Sequence, residues 1–351
     1  MSDKQPDIPA TAKVHLSREA LIENWKTLSR LSGAASAGAA VKADAYGLGV
    51  SSVVEILQGS GCKDFFVANW QEASEIENIV SDDVNISVLN GIRAADLDFA
   101  VTSKAKPVLN SLQQAQLWGT TGKPCDAMIE TGMNRLGIEV SDLDQIPVDG
   151  LNIDLVMSHL ASADEDCEQN RQQLNIFLES SNQLGGKRRS LANSAGIALG
   201  SDYHFDCTRP GLSLYGGIQR TELAGKIKQV ATPFAEIIQI RTLNAGDRVG
   251  YNAQYIANKT HDIAILAMGY ADGYLRGFSN TGYFFAGDIK LPVLGKVSMD
   301  LIAIDISNAP QLETGDWVEC EYDLPTASEQ SGISQYELIT GLGQRLPRVW
   351  T

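Results

Sequence analysis

An α/β chain built as a closed (β/α)₈ barrel, followed by a mostly antiparallel β domain, is the fold that the sequence predicts. Three observations carry it. Short apolar runs alternate with helical patterns over the first two thirds of the chain. Polar residues recur where those runs end. Near residue 230 the apolar period changes from that of helices to that of strands.

The expected barrel strands are 36–42, 65–69, 86–90, 107–110, 127–131, 155–159, 189–193 and 212–215. Strands separated by helices form right-handed βαβ units and a parallel sheet, and a count of eight favours closure over an open doubly wound sheet. The dinucleotide fingerprint is missing, because Gly47-Leu48-Gly49 continues as Val50-Ser51-Ser52 without a third glycine. The opening helix is expected at about 18–31, with Ser17 as its N-cap. In the next helix Val50, Val53, Val54 and Leu57 form an i, i+3, i+4, i+7 stripe that stops at Gly59 and Gly61. A third runs from about 168 to 184, with Leu174, Phe177, Leu178 and Leu184 on one side and Gly185-Gly186 as its stop. Lys42, Asn69, Asn90, Asn110, Thr131, His159 and Asn193 each fall at the carboxyl end of an expected strand. In a barrel those ends share one face, and that face carries the chemistry.

From Pro233 onward the periodicity is 2. Segments at 237–242, 263–267, 289–293, 301–306 and 317–322 are punctuated by Gly246-Asp247, Gly287-Asp288 and Gly315-Asp316. A short last helix is expected at 334–340. The barrel is therefore assigned to residues 1–230 and the β domain to 231–351.

Composition excludes several classes. A chain of 351 residues with 44% hydrophobic and 20% charged residues can bury a large core. A net charge of −15 argues against a binder of nucleic-acid backbones. It leaves room for a small anion, which needs only a few local donors. The five cysteines are scattered, with no Cys-x-x-Cys pair, as expected of reduced thiols in a cytoplasmic protein. The four histidines lack metal-ligand spacing, so no metal site is expected. Met1–Pro9 is polar, with no apolar segment of a signal peptide, and no apolar run has the length of a membrane span.

Lys42 is the most informative single residue. It lies in Val41-Lys42-Ala43-Asp44-Ala45-Tyr46-Gly47-Leu48-Gly49, between a small-residue strand and a helix. An ammonium there is costly unless it is deprotonated, paired or used covalently. A Schiff base with an aldehyde cofactor is such a use.

This segment resembles the cofactor-lysine motif of the alanine racemases, fold-type III enzymes that use pyridoxal 5′-phosphate (PLP). The resemblance runs from about Val14 to Arg348. It implies that Lys42 binds PLP. It also implies that Arg209, in Thr208-Arg209-Pro210-Gly211-Leu212-Ser213-Leu214-Tyr215-Gly216, donates to the pyridine nitrogen, with His159 behind the ring and bonded to Arg209. An arginine keeps its proton, so the ring becomes a weaker electron sink and side reactions are limited. Tyr46, Asn193, Ser194 and the backbone N–H groups of Gly211 and Leu212 are implied around the phosphate. Arg135, in Glu130-Thr131-Gly132-Met133-Asn134-Arg135-Leu136-Gly137, and the amide of Met299, in Gly295–Asp300, are implied for the substrate carboxylate.

The second base implied is Tyr251, in Gly246–Tyr255. Racemization needs an acid and a base on opposite faces of one carbon. Lysine and tyrosine both titrate at about 10 in isolation, so both need a perturbing environment. The resemblance further implies a homodimer in which each β domain completes the partner's barrel site. The implied substrate is a small amino acid, alanine, and the implied use is D-alanine for peptidoglycan. Racemization of serine or another small amino acid is one alternative, and a non-catalytic PLP-binding barrel is another.

Two departures stand out. Many family members have a carbamylated lysine that orients the arginine at position 135, and here the aligned residue is Met128. Some have a tyrosine where this chain has Gln344.

Overall fold

The computed structural model describes residues 8–351. The stretch Met1–Pro9, expected to hold no signal peptide, lies outside the described residues as far as Asp7. The chain divides into two compact units. One spans Glu19–Lys228; the other joins the described residues up to Arg18 to Gln229–Thr351.

The first unit is the parallel barrel. Strands Asp64–Val67, Asn85–Val88, Lys106–Leu109, Pro124–Met128, Asn152–Met157 and Arg188–Ser190 pair in chain order, each parallel to the next. The first expected strand, 36–42, is broken at Gly38 and serves both neighbours. Ala39–Ala40 pairs with Phe65–Phe66, whereas Ser36–Ala37 pairs with Cys207–Thr208. A Cβ on Gly38 would lie 2.7 Å from the Asp64 carbonyl and 2.8 Å from the Phe66 ring, so only glycine fits the break. Backbone bonds from Asp206 N to Arg189 O (3.0 Å) and Arg209 N to Ala192 O (2.8 Å) close the ring.

Cys207–Thr208 is thus the eighth strand. The expected strand at 212–215 is instead a 3-10 turn, Leu212–Tyr215, buried throughout. A four-residue apolar run does not distinguish a buried strand from a buried helical turn. Tertiary contact decides it, with the Tyr215 hydroxyl donating to the Ala40 carbonyl at 2.9 Å.

The expected helices form. Arg18–Leu31 buries Leu21, Trp25 and Leu28, and Val50–Gly59 buries its whole valine and leucine stripe. Glu168–Ser180 ends in a 3-10 turn, Ser181–Leu184, closed by left-handed Gly185. Gln335–Thr340 is capped reciprocally by Ser334 and Glu337.

The amino end of the barrel interior holds a ring of charge. Lys106 Nζ lies 2.6 Å from Asp154 and 3.6 Å from Asp126, and Arg188 bridges Asp154 (2.9 Å) and Asp64 (2.8 Å). Ser87 and the Leu155 amide also donate to Asp126. Burial raises the Asp126 carboxyl, against the pull of Lys106. Asp154 is lowered, because its bonds to Lys106 and Arg188 outweigh its burial.

The second unit is a small antiparallel barrel. Ala231–Leu243 is long enough to serve two partners. Residues 234–236 pair with Trp317–Cys320, and after a bulge between Ile237 and Gln239 the strand pairs with His261–Leu266. Ile302–Asp305, Ile289–Leu294 and Tyr283–Ala286 complete the ring. Ala12–Leu16 also belongs here, antiparallel to 231–235 and parallel to Arg348–Trp350. The assignment of residues 1–230 to the barrel therefore differs from the structure at its start. A five-residue alternating strand carries no mark of which sheet it will join.

Lys106→Met should leave Asp126 and Asp154 without their shared cation. We expect a loss of about 3 kcal/mol in urea unfolding; a variant as stable as the parent would show that the ring contributes nothing net.

Candidate active site

The carboxyl end of the barrel strands gathers most of the residues singled out from the sequence. Val41 ends the first strand region, and Lys42 opens a short turn, Lys42–Gly47. That turn is left-handed. Ala43, Asp44, Ala45 and Tyr46 have φ of 54, 53, 52 and 58°. Left-handed helical geometry costs an L-residue roughly 1–2 kcal/mol, so four in a row cost about 4–8 kcal/mol. Outside bonds offset this. Asp44 Oδ1 accepts from Val50 N (2.7 Å), and Glu72 accepts from Ala43 N (2.9 Å) and from Ala68 N (2.6 Å). The turn places Lys42 at one end and the buried Tyr46 at the other.

Lys42 is half-buried, and its amine is lowered by burial and then by Arg135, with Glu72 partly opposing. His159 is pushed down to about 3, by burial first and then by Arg209, Arg135 and Lys42. It is neutral at physiological pH. Arg209 is buried and, among the described residues, has no carboxylate at hydrogen-bond distance. It donates to Ser190 Oγ, to Ser158 O (2.5 Å) and to Leu191 O (3.5 Å), and its guanidinium lies 5.9 Å from the Phe66 ring centroid. The expected bond between Arg209 and the His159 ring is not among these. Burial brings Arg209 down to about 10, still protonated at neutrality.

Arg135 is exposed, on a loop that Glu130 organises. The Glu130 carboxylate accepts from the amides of Gly132, Met133 (2.6 Å) and Arg135 (3.3 Å). Burial raises the Glu130 carboxyl, and these amides with that of Asn134 outweigh it, for a net lowering. Met128 is a buried strand end; its carbonyl accepts from Ile138 N at 2.7 Å at the base of the Arg135 loop, and the Glu130 carboxylate holds the loop's amides.

A second group of residues forms a cradle. Ser194 begins a short helix, Ser194–Leu199, and its hydroxyl accepts from Gly211 N (2.9 Å) and Ser213 N (3.2 Å). Asn193 caps that helix by accepting from Gly196 N at 2.8 Å. The Tyr46 ring lies 4.7 Å from that of Tyr215, tilted by 31°. A Cβ on Gly211 would fall 2.4 Å from the Tyr46 hydroxyl and 3.3 Å from the Ala40 Cβ. The Ser213 hydroxyl is buried and unpartnered.

Tyr251 and Met299 lie in the other unit. Tyr251 opens a 3-10 turn, Tyr251–Ala253, and is 64% exposed; Met299 is 53% exposed. Their segments adjoin there. A Cβ on Gly250 would lie 3.7 Å from the Lys296 carbonyl, and Ala271 N donates to Met299 O at 3.0 Å.

Glu72 and Glu130 were not found from the sequence. The spacing Asn69-x-x-Glu72 is a capping signal, and the Asn69 side chain does accept from Glu72 N at 3.0 Å. Nothing in that spacing shows that the Glu72 carboxylate also reaches Ala43. Among the described residues no cluster of side chains could hold a metal ion, and no helix is long and apolar enough to cross a membrane.

The chain matches the model of the alanine racemase N-terminal domain over residues 16–219 and that of the C-terminal domain over 230–350. It belongs to the alanine racemase family. It is 36% identical over 346 residues to the alanine racemase of Cereibacter sphaeroides, covering 97% of this chain and 98% of that one. It is 38% identical to a catabolic alanine racemase of Agrobacterium fabrum, covering 94% and 89%. The crystal structure of alanine racemase from Bartonella henselae with covalently bound pyridoxal phosphate superposes with a TM-score of 0.92. It is 33% identical and covers 98% of this chain and all of that one.

As an alanine racemase family member, the chain is a PLP-dependent amino-acid racemase. Its own residues fit the cofactor. The Gly211 cradle leaves no room for a side chain, and the buried Ser213 hydroxyl beside it lacks a partner. Lys42, Arg135 and Arg209 bring positive charge to this end of the barrel, as an anionic cofactor requires. Gly211→Ala should crowd Tyr46 and weaken PLP by about tenfold or more, read by equilibrium dialysis. Unchanged affinity would remove Gly211 from the cradle.

Proposed function

We propose that the protein interconverts L- and D-alanine by two-base proton transfer at Cα, with Lys42 serving one face and Tyr251 the other. The observation that carries this reading is the cluster at the barrel's carboxyl end: a half-buried lysine, a buried arginine and a glycine-hydroxyl cradle, in a chain of this family.

Bound PLP supplies the electron sink that acidifies the Cα proton. The roles of the chain's own residues follow from their surroundings. Lys42 would hold the cofactor and, once free, take or return the proton. Its lowered amine is a better-populated base near neutrality than an exposed lysine. Arg209 offers a donor that stays charged, suited to the pyridine nitrogen, and its burial keeps that donor fixed. Neutral His159, close enough to be influenced by Arg209, Arg135 and Lys42, would support the ring without a bond to Arg209. Tyr46, Asn193, Ser194, Gly211 and Leu212 would hold the phosphate, either directly or by shaping the cradle. Arg135, on its Glu130-anchored loop, and the Met299 amide would take the substrate carboxylate.

We infer that Tyr251 and Met299 act from a second copy of the chain, in a head-to-tail homodimer with shared sites. Their exposure supports this, as does that of Leu301 and Ile256 in the same unit, since large exposed apolar side chains call for cover. The setting proposed is the cytoplasm, with D-alanine destined for peptidoglycan. The separate β unit disfavours a barrel-only PLP carrier. A chiral assay over a panel of small amino acids tests the substrate; turnover of serine with none of alanine would overturn it.

Lys42→Ala should lose the cofactor's visible absorbance and activity. Tyr251→Phe should slow proton removal from one enantiomer by about 10²–10⁴-fold more than from the other. A mixture of these two inactive variants should recover activity, since a mixed dimer holds one intact composite site. No recovery after verified subunit exchange would refute sharing.

A further inference from the structure

The left-handed turn between Lys42 and Tyr46 has ties on two sides that come from outside it. At its start, the Ala43 amide donates to Glu72 Oε1 at 2.9 Å, and the other oxygen of the same carboxylate accepts from Ala68 N at 2.6 Å. Ala68 directly follows strand Asp64–Val67. Glu72 therefore staples the turn that carries the lysine to the end of the neighbouring barrel strand. Glu72 itself is seated by its own amide, which donates to Asn69 Oδ1 at 3.0 Å, at the start of helix Trp70–Ile76. On the side of the following helix the turn is tied through Asp44, the residue after Ala43: its Oδ1 accepts from Val50 N at 2.7 Å, and its carbonyl accepts from Gly49 N at 3.0 Å.

We propose that Glu72 is a positioning residue, which with Asp44 clamps the left-handed turn and so sets the reach between the Lys42 amine and the Tyr46 hydroxyl. This rests on Lys42 being the cofactor lysine. The distance between the imine-forming amine and the phosphate hydroxyl must match a rigid cofactor, so a turn free to relax into right-handed geometry would lose both contacts at once. A carboxylate suits the role because its two oxygens accept from two amides in different segments, Ala43 in the turn and Ala68 after the neighbouring strand. A glutamine has one acceptor and turns its NH₂ donor toward the second amide. The same carboxylate holds negative charge near Lys42 and partly offsets the lowering of its amine.

The test uses the full chain. Glu72→Gln should weaken PLP by at least about tenfold in equilibrium dialysis. In the cofactor-free protein it should also move the pH midpoint for acylation of Lys42 downward, followed by mass mapping of the Lys42 peptide. Glu75→Gln removes an exposed carboxylate from the same helix without touching Asn69, Glu72 or either amide bond, so it should change neither readout. Asp44→Ala frees the other side of the turn and should also weaken PLP. That prediction stands if Glu72→Gln does not fold. Wild-type affinity in both clamp variants would overturn the proposal. An equal loss in Glu75→Gln would do so too, by assigning the effect to the helix's charge and not to the clamp. Borohydride reduction of the wild-type holoenzyme separates the two levels. Label on a lysine other than Lys42 defeats the assignment of the cofactor lysine, whereas label on Lys42 with unchanged clamp variants defeats only the clamp.

Discussion

Four successive left-handed residues, Ala43 to Tyr46, are the constraint on which the proposed barrel site depends. No L-residue prefers that geometry, and a single turn has too few internal hydrogen bonds to impose it. The structure meets the cost from outside, through Glu72 on one neighbour and the start of helix Val50–Gly59 on the other. A strained backbone at the reacting group is common in enzymes, because it persists only where its surroundings over-determine it. Here the surroundings are two barrel strands and two helices, which are rigid elements and hold a small constellation better than loops do.

The two ends of the barrel handle charge in opposite ways. The amino end holds three carboxylates and two cations in mutual contact, so its charges are largely satisfied within the protein. The carboxyl end holds Lys42, Arg135 and Arg209, and Arg209 meets only neutral oxygens. Glu72 offsets part of the charge on Lys42, and the buried Arg209 is the group that an anionic ligand would compensate. A chain with a net charge of −15 thus presents a local cationic site for an anion. Net charge describes long-range behaviour, whereas a phosphate is held by a few donors at close range.

Much of this was legible in the residues. The stripe Val50–Leu57, the glycine stops and the polar residues after each strand marked helices, boundaries and the functional face. The motifs around Lys42, Arg135 and Arg209 marked the chemistry. Other features were not. Leu212–Tyr215 reads as a strand because a short apolar run has no period to reveal a 3-10 turn, and Cys207–Thr208 is too brief to stand out. Ala12–Leu16 alternates correctly but pairs with residues more than two hundred positions away. Glu72 carries no signal of its role in the sequence, because the amide it holds lies 29 positions earlier.

By itself, then, the sequence determined periodicities, turn positions and the candidate groups proposed for the chemistry, since these are properties of neighbouring residues. Tertiary structure decided which strand closes the ring, which carboxylate holds the lysine turn and how far burial moves the lysine and histidine. Those depend on contacts between segments distant along the chain and on exclusion of water, and local pattern records neither.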